Sequence, residues 1–333
     1  MANAIGYIAI GRNEGARIGA CLASLTALSD RVVYVDSASS DDSVSIAESL
    51  AAHVERLTQG PFSAARARNH GFDALMARWP DTELVMLIDG DCVLIDGFAE
   101  AAATTLAADQ DIGIVTGRCR ERRPGASVYN LLCDLEWDGP IGDIEACGGI
   151  FMARASAFRD VSGFNPEVIA AEDDDFCIRV RATGRRVVRI DHDMCWHDAD
   201  MTRFGQWWAR AARAGHAYAQ VGDLHEGYFA APRRRAWIWG LWIPLIAIGG
   251  APITGGWSLA LLSLYGVSFA RTALRFTKET GNPKAAAIHA GFLILAKFAN
   301  LYGILAYRWK KRFGEVRIVE YKTAVDGRNE SAS

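Results

Sequence analysis

The sequence predicts an α/β fold with an open sheet, followed by an apolar helical region. Short apolar runs alternate with segments of helical periodicity across residues 5–79, which is typical of strands joined by crossover helices. The run 84–88 is entirely apolar, as expected of a central parallel strand covered on both faces. Residues 236–270 form a stretch of 35 residues without a charge. Ligands of open α/β sheets bind at the carboxyl ends of the strands.

The elements follow in order from the N-terminus. The predicted strands are 5–10, 31–36, one beginning at 54, 84–88, 112–118, 145–152 and 187–190. The predicted helices are 16–28, 43–52, one ending near 79, one near the site within a loop spanning 120–144, and 202–221. The first helix places four apolar residues on one face: Ile18, Cys21, Leu22 and Leu25.

The charge distribution and the cysteine pattern indicate which ligands and surfaces the protein could bind. Residues 1–230 hold 21 Lys and Arg against 34 Asp and Glu, whereas residues 231–333 hold 15 against 5. The acidic part suits metal binding, and the basic, apolar part suits an anionic membrane surface better than nucleic acid. The seven cysteines include no C-x-x-C pair, so neither a disulfide framework nor a zinc site is indicated. The first ten residues do not resemble a signal peptide, so we expect the N-terminal part to stay in a reducing cytoplasm.

The uncharged stretch 236–270 is too long for one membrane span and short for two, since one span needs about 20 residues. Glycines and a proline near its middle favour a hairpin of two short helices. A third apolar stretch, 285–307, contains His289 and Lys297. Basic residues flank every segment, which indicates a cytoplasmic face. The alternative is a soluble helical subdomain. The predicted domains are 1–230, a membrane-associated region 231–312, and a tail 313–333.

The strongest single motif is Asp89-Gly90-Asp91, directly after the apolar run 84–88. Two carboxylates at the end of a strand are the hard oxygen ligands that Mg²⁺ or Mn²⁺ prefers. Gly90 lets the backbone approach a ligand closely. Short Asp-Gly-Asp turns also occur in surface loops, so the preceding strand is what favours a metal site. His197, after the last predicted strand, is a candidate third ligand or a satisfied, partly buried histidine.

Three further segments carry polar side chains at predicted strand ends or helix starts. Asp36 follows a strand and could accept hydrogen bonds from a base or ribose. Arg66 and Arg68 could reach phosphate oxygens, or lie on an exposed helix face. The run 172–175 is four successive acids, a favourable helix start, whose crowding raises some of their pKa values. A carboxylate there could act as a general base that removes a proton from a hydroxyl group.

Taken in order, these segments resemble the family 2 glycosyltransferases, which have the GT-A fold. The resemblance covers about residues 5–220 and rests on these motifs: Arg12-Asn13-Glu14, Val35 to Asp41, Ala67-Arg68-Asn69-His70-Gly71, Asp89-Gly90-Asp91, Cys147-Gly148-Gly149, Ser162-Gly163-Phe164 and Glu172-Asp173-Asp174-Asp175. Ile10-Gly11 replaces the family's usual Pro-Thr, which leaves the base open. The processive Gln-x-x-Arg-Trp signature is absent, which predicts addition of a single sugar.

The resemblance implies an inverting transfer from a UDP- or GDP-sugar with Mg²⁺ or Mn²⁺. Asp173 would be the general base on the acceptor hydroxyl. Asp91 would bind the metal directly, and Asp89 would contact the ribose or the metal, with His197 a further candidate ligand. The predicted donor-binding residues are Asn13, Glu14, Asp36, Arg68, Asp89, Gly148 and Gly149.

The sequence therefore predicts a glycosyltransferase at the cytoplasmic face of the cell membrane, monotopic or hairpin-anchored. It would act on a lipid-linked or cell-surface glycan in polysaccharide or glycolipid biosynthesis. One alternative is a sugar nucleotidyltransferase, although the loop 11–15 is short and acidic for a phosphate loop. Another is a catalytically inactive, membrane-anchored nucleotide-binding scaffold, against which the intact Asp89, Asp91 and Asp173 argue.

Overall fold

The computed structural model describes residues 4–50 and 52–314. The chain divides into two compact units. The first comprises Met1–Pro124 and Cys133–Asp200, and the second comprises Gly125–Leu132 and Met201–Ser333. Most of the predicted tail 313–333 lies outside the described residues. The sequence placed its domain boundary after residue 230, thirty residues later than the division between these compact units.

The first unit is built on one mixed sheet. Its strands are β1 (Ile5–Gly11), β2 (Val32–Asp36), β3 (His53–Arg56), β4 (Leu84–Asp89), β5 (Cys92–Leu94), β6 (Ile112–Glu121), β7 (Gly142–Asp143), β8 (Phe151–Arg154) and β9 (Arg186–His197). They lie in the order β3-β2-β1-β4-β8-β6-β9-β5, with β7 paired to β9. The pairs among β3, β2, β1 and β4 are parallel. The predicted α/β fold is thus confirmed.

Helices cover both faces of this sheet. Alternate residues of a strand point to opposite faces, so the apolar side chains on each face need a layer of helices to bury them. They are α1 (Ala16–Thr26), α2 (Ser43–Ser49), α3 (Ala64–Arg78), α4 (Phe98–Ala108), α6 (Ala155–Asp160) and α7 (Glu172–Ala182), while α5 (Val128–Glu136) runs across the division between the units. On one face of the sheet, Tyr7 and Ala9 of β1 pack in a hydrophobic core with α1 and α4. On the other face, Ile8 and Ile10 pack in a second core with α3, α6 and α7. The predicted inner face of α1 is buried as expected.

Strand register brings the ends of β1, β2 and β4 to one edge of the sheet. Gly11 pairs with Asp36, and Ile10 pairs with Asp89. The backbone N–H of Gly90 donates to the Ile10 carbonyl over 2.7 Å. A Cβ on Gly90 would lie only 3.1 Å from that carbonyl oxygen, so a small residue is needed there. The polar residues that follow each strand therefore share this edge.

Three predictions about the strands were wrong in detail. The strand expected at 145–152 is only β8, because Gly148 has a positive φ of 72° and residues 145–150 form a loop. Moreover, β8 runs antiparallel to β4, so the central strand β4 is parallel to only one of its neighbours. The last strand is longer than the predicted 187–190, since β9 continues to His197.

The second unit is helical. Its helices are α8 (Phe204–Leu224), α9 (Ala230–Trp237), α10 (Ile243–Gly249), α11 (Ser263–Thr280) and α12 (Pro283–Phe313). Short π and 3₁₀ segments, Ile238–Trp242 and Trp257–Leu262, flank α10 and lead into α11. The uncharged stretch is therefore interrupted near its middle, as the glycines there predicted.

Among the described residues, α12 is the one helix long and apolar enough to cross a membrane by length and composition. A third of its most apolar window is buried within the protein. Other large apolar side chains of this unit are strongly exposed, including Ile253 at 88% and Trp257 at 84%. Such a concentration of exposed apolar side chains marks an interaction surface and is consistent with a membrane segment.

Two glycines let α8 and α12 approach closely. A Cβ on Gly303 would overlap the backbone carbonyl of Ala212, and one on Gly215 would overlap the backbone of Asn300. Backbone atoms cannot rotate away as a flexible side chain can. The contact between these helices therefore depends on the absence of side chains at both positions.

We expect Gly303→Ala to lower the free energy of unfolding by about 1–3 kcal/mol, because α8 and α12 must separate to admit the methyl group. The control is Gly266→Ala in α11, where nothing lies within 4 Å of an added Cβ. Thermal unfolding of the two full-length variants compares them. Equal melting temperatures would show that the helix contact tolerates the methyl group.

Candidate functional site

The end of β2 holds Asp36 in a closed hydrogen-bond network. Its carboxylate accepts from the Tyr34 hydroxyl over 3.1 Å and from the Ser39 N–H over 2.8 Å, and it is 2% exposed. Burial and the Asp36 carboxylate raise the pKa of Tyr34, which keeps the phenol protonated as a donor. The loop after β2 is thereby fixed in place.

The loop after β1 packs against that loop. Asn13 has a left-handed backbone with φ 55°, and its side-chain oxygen accepts from the Ser40 N–H over 2.8 Å. Glu14 is buried, and its carboxylate lies 3.1 Å from Arg17. Asn13, Glu14 and Asp36 thus lie in two adjoining loops at the edge of the sheet where β4 also ends.

Arg68 of α3 is the buried centre of the site. It is 2% exposed, and its two terminal nitrogens reach Asp89 over 2.9 Å and Glu172 over 2.7 Å. Its guanidinium also lies over the Phe164 ring, 5.4 Å from the centroid. Arg68 therefore joins the end of β4 to the start of α7. Both terminal nitrogens of Arg68 already have carboxylate partners. Contact between Arg68 and a donor diphosphate therefore stays a prediction.

Gly148 and Gly149 lie in the loop before β8. A Cβ on Gly149 would overlap a terminal nitrogen of Arg68 and would lie 3.5 Å from an Asp89 carboxylate oxygen. This loop can pass over the Arg68–Asp89 pair only because Gly149 has no side chain. Gly149 thus lies beside Asp89, while the predicted contact of Gly148 and Gly149 with a donor stays a prediction.

Asp91 faces a different partner from Asp89. It is 5% exposed, and its carboxylate oxygen lies 3.4 Å from Nε2 of His197. Cys92 pairs with His197 across the antiparallel strands β5 and β9, and this register brings the imidazole to the turn after β4. Trp137 packs edge-on against the imidazole, with ring centroids 4.6 Å apart. The structure therefore brings together Asp91 and His197, two of the predicted metal ligands.

The acidic start of α7 contains groups in different environments. Glu172 pairs with Arg68, and Asp175 is 2% exposed and pairs with Arg179 over 2.7 Å. Burial raises the pKa of Asp173 well above its usual value, and the charges of Asp174 and Glu172 raise it further. Asp173 thus differs from Asp175, which has an ion-pair partner, and the role of Asp173 as general base stays a prediction.

Sequence reasoning missed three residues of this site. Glu172 appeared only as part of an acidic run, although it is the second partner of Arg68. Trp137 lies in the segment 120–144, where no pattern could be read. Cys92 was assigned no role, yet its Sγ lies 3.5 Å from an Asp91 oxygen. The sequence signal that could have identified Cys92 was its position directly after the Asp-Gly-Asp turn.

Comparison with protein families decides the class. Residues 8–159 match the model of glycosyl transferase family 2, and residues 135–203 match the N-terminal domain of galactosyltransferase. The protein is a glycosyltransferase, and its residues 8–159 are similar to family 2. The matched segments contain Asp36, Arg68, Asp89, Asp91 and His197, so the site described above lies within them. No curated protein sequence matches this glycosyltransferase.

Solved structures confirm the GT-A fold of the glycosyltransferase. A mannosyltransferase from Pyrobaculum calidifontis, solved with GDP-Man and Mn²⁺, has a TM-score of 0.58 at 18% identity, covering 93% of this chain and 88% of that one. Glucosyl-3-phosphoglycerate synthase from Mycobacterium tuberculosis, solved with Mn²⁺, UDP and phosphoglyceric acid, has a TM-score of 0.50 at 18% identity. That match covers 66% of this chain and 78% of the synthase.

We expect Arg68→Met to destabilise the protein by about 3–5 kcal/mol, because it leaves Glu172 buried without its cation and Asp89 without its partner. The control is Arg66→Met, two residues earlier on α3, whose partly exposed side chain donates a hydrogen bond to the Pro61 carbonyl. A change within about 0.5 kcal/mol is expected there. Denaturant unfolding of both variants measures the difference, and equal losses would contradict the central position of Arg68.

Proposed function

We propose that this glycosyltransferase is an inverting, metal-dependent enzyme that transfers one sugar from a UDP- or GDP-sugar to a hydroxyl of a lipid-linked or cell-surface glycan. The observation that supports it best is the separation of two carboxylates after β4. Asp89 is held by Arg68 over 2.9 Å, while Asp91 lies 3.4 Å from His197. One carboxylate is thus neutralised by the protein, and the other is left beside an imidazole.

The donor atoms at Asp91 and His197 fit Mn²⁺ or Mg²⁺. Carboxylate oxygen suits both ions, and imidazole nitrogen suits Mn²⁺ better than Mg²⁺. The Nδ1 atom of His197 is buried with no hydrogen-bond partner in the described part of the chain, while Nε2 faces Asp91 and Trp137 packs against the ring. A bound ion would act as a Lewis acid that neutralises the departing diphosphate. The mannosyltransferase with the same fold was solved with Mn²⁺ and GDP-Man, which supports this assignment.

The donor nucleotide would occupy the edge formed by the loops after β1 and β2. Asp36 and Asn13 would meet the base and ribose, and Glu14 would line the pocket. Their mutual hydrogen bonds hold the loops in one conformation before a ligand arrives, which lowers the entropic cost of binding. Gly148 and Gly149 would let the donor sugar approach the Arg68–Asp89 pair.

Asp173 would remove the proton from the acceptor hydroxyl as that oxygen attacks the sugar. Its raised pKa makes it a stronger base than an exposed aspartate. An inverting displacement needs one such base and no covalent intermediate on the protein. Its position one residue after Glu172 ties the base to Arg68, and through Arg68 to Asp89.

The second unit would hold the enzyme at the cytoplasmic face of the membrane, where a lipid-linked acceptor is available. Its apolar side chains are exposed on α10, on the following 3₁₀ segment and on α11. Basic residues border this surface: Arg233, Arg234, Arg235, Arg271, Arg275, Lys278, Lys284, Arg308, Lys310, Lys311 and Arg312. Cations beside exposed apolar side chains favour an anionic lipid surface.

Purified full-length protein with Mn²⁺ and a panel of UDP- and GDP-sugars tests the proposed function. We expect one donor to be turned over with release of its nucleoside diphosphate. Pyrophosphate release from a nucleoside triphosphate would instead favour a nucleotidyltransferase. Metal-dependent nucleotide binding with neither transfer nor donor hydrolysis would favour an inactive scaffold.

We expect Asp91→Asn to reduce donor turnover by at least about 10²-fold, because loss of the metal removes several kcal/mol of charge stabilisation. The control is Asp96→Asn, an exposed aspartate in the turn after β5. Initial rates at saturating Mn²⁺ compare the variants. If Asp91→Asn kept the turnover of the control, Asp91 would not hold the metal.

We expect Asp173→Asn to lower kcat by about 10²–10⁴-fold while donor affinity is retained, because a general base acts only in the transfer step. In the unaltered protein, the rate should fall as the pH drops through the raised pKa of Asp173, since the protonated acid cannot accept a proton. Asp174→Asn removes a charge that raises this pKa, so the acidic limb should move to lower pH. An acidic limb that does not move would contradict the role of Asp173.

A further inference from the structure

A third side chain lies at the Asp91–His197 pair. Ligand atoms of Asp91, Cys92 and His197 all lie within 4.8 Å of one another. Asp91 is 5% exposed, Cys92 is fully buried, and the His197 side chain is 12% exposed. The three groups offer a carboxylate oxygen, a sulfur and an imidazole nitrogen.

The fold places the thiol there by strand register. Cys92 is the first residue of β5 and pairs directly with His197 at the end of β9. Directly opposed residues on antiparallel strands point to the same face of the sheet and have neighbouring side chains. Asp91 precedes Cys92 and turns its carboxylate to the same imidazole over 3.4 Å. The cluster is therefore fixed by backbone pairing rather than by mobile side chains.

These three donor atoms are not the ligand set preferred by the Mn²⁺ or Mg²⁺ ion of the proposed reaction, because one of them is sulfur. Mn²⁺ and Mg²⁺ favour oxygen ligands, and a thiol adds little to their affinity. Zn²⁺ binds carboxylate, imidazole and especially thiolate, in tetrahedral sites with three protein ligands and one open position. For a given set of nitrogen, oxygen and sulfur ligands, Zn²⁺ also binds more tightly than Mn²⁺.

We propose that Asp91, Cys92 and His197 form a Zn²⁺ site in which zinc displaces the activating ion and inhibits the enzyme. On binding, the Cys92 thiol loses its proton to solvent and a zinc–sulfur bond forms, with no change of oxidation state. Two anionic ligands cancel the charge of the ion, and a four-coordinate site leaves only one position for a ligand. A neutral centre of this kind stabilises a departing diphosphate poorly. The inhibition rests on the proposed function, whereas the binding of Zn²⁺ does not.

The test compares metal affinities of the full-length protein, purified in detergent, without donor or acceptor. Zn²⁺ affinity is measured by competition with a chelating dye, and Mn²⁺ affinity from the magnetic resonance signal of free Mn²⁺. We expect Cys92→Ser to weaken Zn²⁺ binding by at least about tenfold while Mn²⁺ binding changes much less, because only zinc uses the sulfur. Cys133→Ser, which alters a buried cysteine of α5, is the matched control.

Cd²⁺ gives a second readout on the unaltered protein, so the proposal stays testable if Cys92→Ser does not fold. We expect a thiolate-to-cadmium absorption band and a ¹¹³Cd resonance typical of sulfur coordination, both lost in Asp91→Asn and kept in Cys133→Ser. Unchanged Zn²⁺ affinity in Cys92→Ser, or Cd²⁺ bound without a thiolate signal, would overturn the proposal. Neither readout requires transferase activity, so failure here is distinct from failure of the proposed function.

Discussion

The site depends on the buried ion-pair network of Arg68 with Asp89 and Glu172. A guanidinium that is 2% exposed must be paired, since an unpaired buried charge is strongly destabilising. Its two partners lie on elements far apart in the chain, the end of β4 and the start of α7. Satisfying one cation therefore fixes the turn after β4 and the start of α7 relative to each other. Gly149 completes this arrangement, because any side chain there would displace the guanidinium.

This network also separates the roles of the two aspartates. Asp89 has its charge balanced by Arg68, whereas Asp91 is buried against His197 and Cys92. A neighbouring cation suits a group that meets neutral hydroxyls or a metal-bound water. A buried carboxylate beside an imidazole suits a direct metal ligand. The same turn thus gives two carboxylates different chemistry, and the adjacent thiol extends the range of ions the turn could hold.

Much of the fold followed from short-range patterns. The strands β1, β2 and β4 and the buried face of α1 are set by apolar periodicity, which acts over a few residues. The loop before β8 was misread as strand because its apolar composition outweighed the backbone freedom of Gly148 and Gly149. The pairing of Arg68 with Glu172 joins residues 104 positions apart, and no local pattern encodes it. The meeting of His197 with Asp91 likewise depends on the register of β5 and β9.

The central claim is that one ion contacts both His197 and the donor diphosphate. Pulsed electron paramagnetic resonance of Mn²⁺ bound to the full-length protein with UDP or GDP tests this directly. We expect ³¹P coupling from the diphosphate and ¹⁴N coupling from an imidazole in the same spectrum, with the ¹⁴N coupling lost in His197→Gln. A spectrum with ³¹P coupling but no imidazole ¹⁴N coupling in the unaltered protein would contradict it.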